Sequence, residues 1–176
     1  MANSLPLPMR SMRMLVGIAL VLCVTSLPRA AHAANRCPWL TEATASGLIG
    51  AEAVGSFTAA SGTQPAVCTF EQKGDGMVRS LTITVEVVTE AHVRMASIAQ
   101  ACGARAAPLN AIGNEAVYCD SDLRRGELGE RAIGRVRNQV FTIDMNSTLK
   151  DDPILTREAL KTRIYTAAEQ VAGNLF

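Results

Sequence analysis

Few side chains in this 176-residue chain are of a type and spacing to do chemistry together. Downstream of residue 33 the cysteines are Cys37, Cys68, Cys102 and Cys119, and His92 is the single histidine. No two of these cysteines lie within four residues of each other, so the paired spacing of a zinc site is missing and no metal is expected on them. An even number of well-separated cysteines in an exported chain reads instead as two disulfides. Sequential pairing, Cys37 with Cys68 and Cys102 with Cys119, closes the two shortest loops and is the expected connectivity. His92 could serve a hydrolase only beside an activated hydroxyl and a supporting carboxylate, and no G-x-S-x-G turn is present. It is therefore expected at a boundary or on the surface. Asp120 and Asp122 open like a calcium loop, but the next ligand position falls on Arg124, a cation, so a solvated turn is expected.

The richest constellation comes from two alternating segments. Leu81, Ile83, Val85 and Val87 alternate with Ser80, Thr82, Thr84 and Glu86. Phe141, Ile143 and Met145 alternate with Thr142, Asp144 and Asn146. Period-two alternation belongs to antiparallel strands with one covered face. If the two lie in one sheet, Thr84, Glu86, Thr142 and Asp144 share a polar surface. Arg135 and Arg137, two residues apart on a third strand, would project together toward Glu86 or Asp144, or toward an external anion. These six residues are the candidate ligand-binding set. The plain alternative is an ordinary wet sheet face, on which cross-strand ion pairs contribute little. No residue is assigned a catalytic role and no cofactor is expected.

The elements that must position these residues can be read along the chain. Residues 1–33 carry Arg10 and Arg13, then an apolar run from Met14 to Val24, then Ala31-His32-Ala33. A basic start, a short apolar stretch and an A-x-A site describe a secretory signal peptide cleaved after Ala33, too short to remain as a membrane span. The remainder, 34–176, is expected to form one α+β domain. Thr41 caps a short helix that stops at Gly50. Ala66 to Phe70 reads as a strand, and Lys73 to Gly76 as a tight turn into the alternating strand. Thr89 is the expected cap of a second helix with Ala91, Met95, Ile98 and Cys102 on one stripe, ended by Gly103. Ala116 to Cys119 echoes Ala66 to Cys68, so helix and hairpin recur in two similar halves. Asp152 as cap and Pro153 at the first position open a last helix, with Leu160, Ile164, Ala167, Ala168, Val171 and Leu175 on one face. Helices beside antiparallel hairpins give an α+β layer, an antiparallel sheet with one face covered by helices.

Composition narrows the function. Of 17 basic residues, Arg10, Arg13 and Arg29 lie in the leader, which holds none of the 16 acids. The rest is slightly acidic, and aromatic residues make up 4% of the chain. Nucleic acid needs a concentrated positive field and is not an expected partner.

Cys37-Pro38-Trp39-Leu40-Thr41, then Leu48-Ile49-Gly50, Cys68-Thr69-Phe70 and Ile112-Gly113-Asn114-Glu115-Ala116 resemble uncharacterised exported bacterial domains, often lipoproteins. The resemblance spans most of residues 37–147 and implies an exported α+β module without an activity to carry over. The expectation is thus a periplasmic or secreted non-enzymatic binding module for a protein or small-molecule ligand. The competing expectation is a small extracytoplasmic hydrolase working through sheet-face carboxylates or His92.

Overall fold

The computed structural model describes residues 36–74, 76–121 and 127–176; the leader and the Asp122 and Arg124 positions lie outside them. Along the chain run α1 (Glu42–Ile49), β1 (Val54–Thr58), β2 (Ala66–Gly74), β3 (Met77–Val87), α2 (Ala91–Ala99), a 3-10 segment (Gln100–Arg105), β4 (Ala107–Pro108), β5 (Glu115–Asp120), β6 (Leu128–Val136), β7 (Gln139–Ser147) and α3 (Arg157–Leu175). The seven strands form one antiparallel sheet in the order β1-β2-β3-β7-β6-β5-β4. The fold is α+β, and the two halves of the chain meet along the β3–β7 ladder at the centre of the sheet.

Three of the expected helix boundaries move, one of them the end of α2, which stops at Ala99 and passes into the 3-10 segment before reaching Gly103. The Thr41 hydroxyl does accept from the Thr44 N–H, and Gly50 closes α1 in the left-handed region at φ 79°. There a side chain would also strike Ile154. By contrast, Glu90 rather than Thr89 precedes α2, with no side-chain cap. Asp152 does not cap α3 either: Thr156 does, accepting from the Ala159 N–H. Asp152 lies buried and is taken up by Arg79, which alters the course of the chain before the helix.

The first face of the sheet buries Phe70, Leu81, Ile83, Val85, Phe141, Ile143 and Met145 against α1 and α3. Leu160, Ile164, Ala167, Ala168 and Val171 of α3 are fully buried there, and each larger one contributes roughly 2 to 3 kcal/mol by leaving water. Small residues admit the aromatic rings. Gly134 stands opposite Phe141 in register, and a Cβ built on it would sit 2.3 Å from the ring. Among the described residues the second face is covered only in part, by α2. Ala91, Met95 and Cys102 pack there on Cys119, Ile133 and Val140.

Both disulfides join a helix-flanking residue to a strand: Cys37 before α1 to Cys68 on β2, and Cys102 after α2 to Cys119 on β5. They lie on opposite faces, one per helical layer. The sheet edges are closed. Glu42 and Ser46 of α1 accept from the backbone N–H groups of Gly55 and Ala53, and β4 is two residues long and ends in proline. These features hinder pairing with a foreign strand at the two edges.

Candidate functional site

Register decides which polar side chains meet on the second face. Thr69 stands opposite Thr82, Thr82 opposite Asp144, and Asp144 opposite Arg131. In the next row Val67, Thr84, Thr142 and Ile133 follow across the same strands. Directly paired residues share a face at about 5 Å spacing, so Thr69, Thr82, Thr84 and Thr142 form a hydroxyl cluster on three adjacent strands. All four are half-buried, and Ser56 and exposed Thr58 extend the surface on β1. Where α2 stops covering the sheet, this cluster begins.

Every candidate acid on this face is tied to an arginine. Arg131 Nε donates to Asp144 at 2.7 Å, and Arg94 of α2 reaches Glu86 at 2.7 Å. Arg135 donates to Glu115 at 2.7 Å instead of meeting Glu86 or Asp144. The same Glu115 oxygen lies 2.7 Å from Nδ1 of His92, an exposed residue. Burial alone would raise the Glu115 pKa, but its hydrogen bonds with His92 and Arg135 and their charges hold it below the ordinary value. Arg137 departs from the expected set. It sits at the β6–β7 turn with φ 55°, its N–H donates to Asn114, and its guanidinium lies 5.8 Å from the centre of the Phe176 ring. Arg135 and Arg137 therefore do not present a joint anion site, because the turn redirects the chain between them.

The spacing of Glu86 and Asp144 bears on hydrolysis. Asp144 pairs with Thr82, four residues along β3 from Glu86, which places the two about 13 Å apart along the strands. Paired glycosidase carboxylates stand at roughly 5 to 9.5 Å.

Beside the hydroxyl cluster, a concavity of about 690 Å³ opens at the β1–β2 edge, lined by Glu52, Val54, Ser56, Thr69, Glu71 and Gln72. Sequence reasoning did not find it, because β1 has no alternating pattern strong enough to stand out from its polar flanks. Among the described residues no group of three or more His, Cys, Asp or Glu side chains is arranged to hold a metal ion. Likewise no described helix is long and apolar enough to cross a membrane. Comparison with protein-family models, curated proteins and solved structures finds no match to the chain.

Proposed function

We propose that the protein is an exported, non-enzymatic binding module that takes its ligand on the uncovered part of the second sheet face. The observation that carries this reading is the cluster Thr69, Thr82, Thr84 and Thr142, set on rigid central strands beside an open concavity. Hydroxyls both donate and accept, so the surface suits a ligand rich in hydrogen-bonding groups. Asp144 and Glu86 on this face are paired with Arg131 and Arg94, and Glu52 and Glu71 line the concavity, which favours a neutral ligand over an anion. Two disulfides accord with an oxidising compartment outside the cytoplasm, and the resemblance to exported bacterial domains belongs with the same reading.

The test uses neutral oligosaccharides of glucose, mannose and N-acetylglucosamine as probes in a threonine-methyl NMR titration. Shifts confined to Thr69, Thr82, Thr84 and Thr142, lost in Thr82→Val/Thr142→Val, are the expected result. Millimolar probes that leave these methyls unmoved, or that move only residues on the α3 side, would overturn the proposal.

A further inference from the structure

The end of the β5–β6 ladder holds a carboxyl group that neither the core nor the proposed binding face uses. Glu130 is 1% exposed, and among the described residues no donor reaches either of its side-chain oxygens. It points to the first face, beneath α3, between Leu128 and Ala132 of its own strand. Directly across on β5 stands Asp120, and directly across on β7 stands Met145. An ionised carboxylate in such a place faces hydrocarbon and another acid, with cations only on the exposed start of α3. Two facing carboxylates hydrogen-bond only through a shared proton.

The surrounding charges relieve this only in part. From β5 come Asp120 and, one pair further in, Tyr118; β7 offers the uncharged Met145. From α3 come Arg157 and Lys161, both exposed, with Arg157 lying 3.6 Å from Asp120. Asp152, nearby before α3, is occupied by Arg79, Ser147 and two backbone N–H groups. Arg131 projects to the other face, where it holds Asp144.

We infer that Glu130 and Asp120 form a proton-operated latch between the end of the β5–β6 hairpin and the first turns of α3. With the proton present, Glu130 is neutral, the pair shares one hydrogen bond, and the seam stays closed. When the proton passes to water, the buried Glu130 carboxylate is left opposite Asp120, itself part-exposed and paired with Arg157, and the last pairs of the ladder separate from α3. Burial, reinforced by the charge of Asp120 and only partly offset by those of Lys161 and Arg157, raises the Glu130 pKa to about 7, so the latch works as pH approaches neutrality. Arg131 is the next residue along β6, so opening at Glu130 also disturbs the Arg131–Asp144 pair beside the hydroxyl cluster.

The sign follows from linkage. A carboxyl whose pKa is higher closed than open stabilises the closed form fully below the open-state value near 4.5 and loses that stabilisation as pH rises through about 7. Between pH 5 and pH 8 the opening equilibrium should therefore grow roughly 70-fold.

Two measurements on the disulfide-bonded protein test this. Carboxyl-carbon NMR follows Glu130 directly: a midpoint near neutrality is expected, falling in Asp120→Asn, and a wild-type midpoint in the ordinary glutamate range overturns the latch. Amide exchange at 128–130 and 157–161, corrected for its intrinsic pH dependence, should show the growth in opening for wild type and a flat profile for Glu130→Gln. Equal pH dependence in both proteins, or none in wild type, also overturns it. Should Glu130→Gln fail to fold, the Asp120→Asn shift decides alone.

Discussion

Replacing Asp152 by Asn tests whether a single buried ion pair fixes the route of the chain into α3. Arg79 and Asp152 have side chains only 2% and 0% exposed. Arg79 Nε and NH2 donate to the two carboxylate oxygens at 2.7 and 2.8 Å; Ser147 donates at 2.6 Å, and the Ile154 and Leu155 N–H groups at 2.8 and 2.9 Å. The carboxylate therefore collects five donors from β3, β7 and the segment before α3. Asp152→Asn keeps the shape but leaves the Arg79 guanidinium buried without a counter-charge, a defect that costs about 3 to 5 kcal/mol. Arg79→Met leaves Asp152 with its three remaining donors and should cost less, about 1 to 3 kcal/mol. The double variant removes both charges, so the costs should fall short of their sum by at least ~2 kcal/mol. Urea unfolding at pH 7, with roughly 1.5 kcal/mol per molar as the slope, should place the Asp152→Asn midpoint about 2 to 3 M below wild type. Burial by itself would raise the Asp152 pKa, but Arg79, Ser147 and the two N–H groups outweigh it and hold it well below 3.8. Its contribution is thus present above pH 3.8 and is lost as pH falls below that value, a loss that Asp152→Asn should not show. A cost below ~1 kcal/mol for Asp152→Asn, or additive single variants, would refute the reasoning.

Two further outcomes follow from the packing. Gly134→Ala drives a methyl group into the Phe141 ring and should cost about 1 to 3 kcal/mol by overpacking; a thermal midpoint equal to wild type would show that the ring can move aside. Opening either crosslink, by Cys37→Ser/Cys68→Ser or Cys102→Ser/Cys119→Ser, frees loops with sequence separations of 31 and 17 residues. Each should lower stability by roughly 3 to 4 kcal/mol in chemical denaturation, and a change under 1 kcal/mol would mean that the bridge constrains little.

Two of the perturbed carboxyls, Asp152 and Glu130, bracket the pH range in which the fold is most stable. Asp152 withdraws support as pH falls below 3.8 and Glu130 as pH rises from 4.5 through about 7, so unfolding free energy should peak near pH 4.

Much of the architecture was legible because it is written in local periodicity. The alternation from Leu81 to Val87 and from Phe141 to Met145 specified two strands and their buried faces. Thr41 and Gly50 specified the ends of α1, since capping is decided within one turn. Cysteine spacing was enough for both crosslinks, because short loops close at lowest entropic cost. β1 and β4 escaped notice because each is short and owes its strand form to the neighbour it pairs with. Asp152 and Pro153 looked like a helix start by local rules, and a partner 73 residues away overrode them.

The candidate site divides along the same line. That Thr84, Glu86, Thr142 and Asp144 face one side of a sheet follows from the two-residue period of an extended chain, and the sequence alone determined it. Which arginine neutralises which acid, that Arg137 turns away at a hairpin with positive φ, that α2 covers only part of the second face, and that Glu130 is shut against Asp120 were settled by the tertiary structure. Those outcomes depend on strand order and register between segments far apart in the chain. Local spacing fixes where a side chain points; only the assembled sheet fixes what it meets.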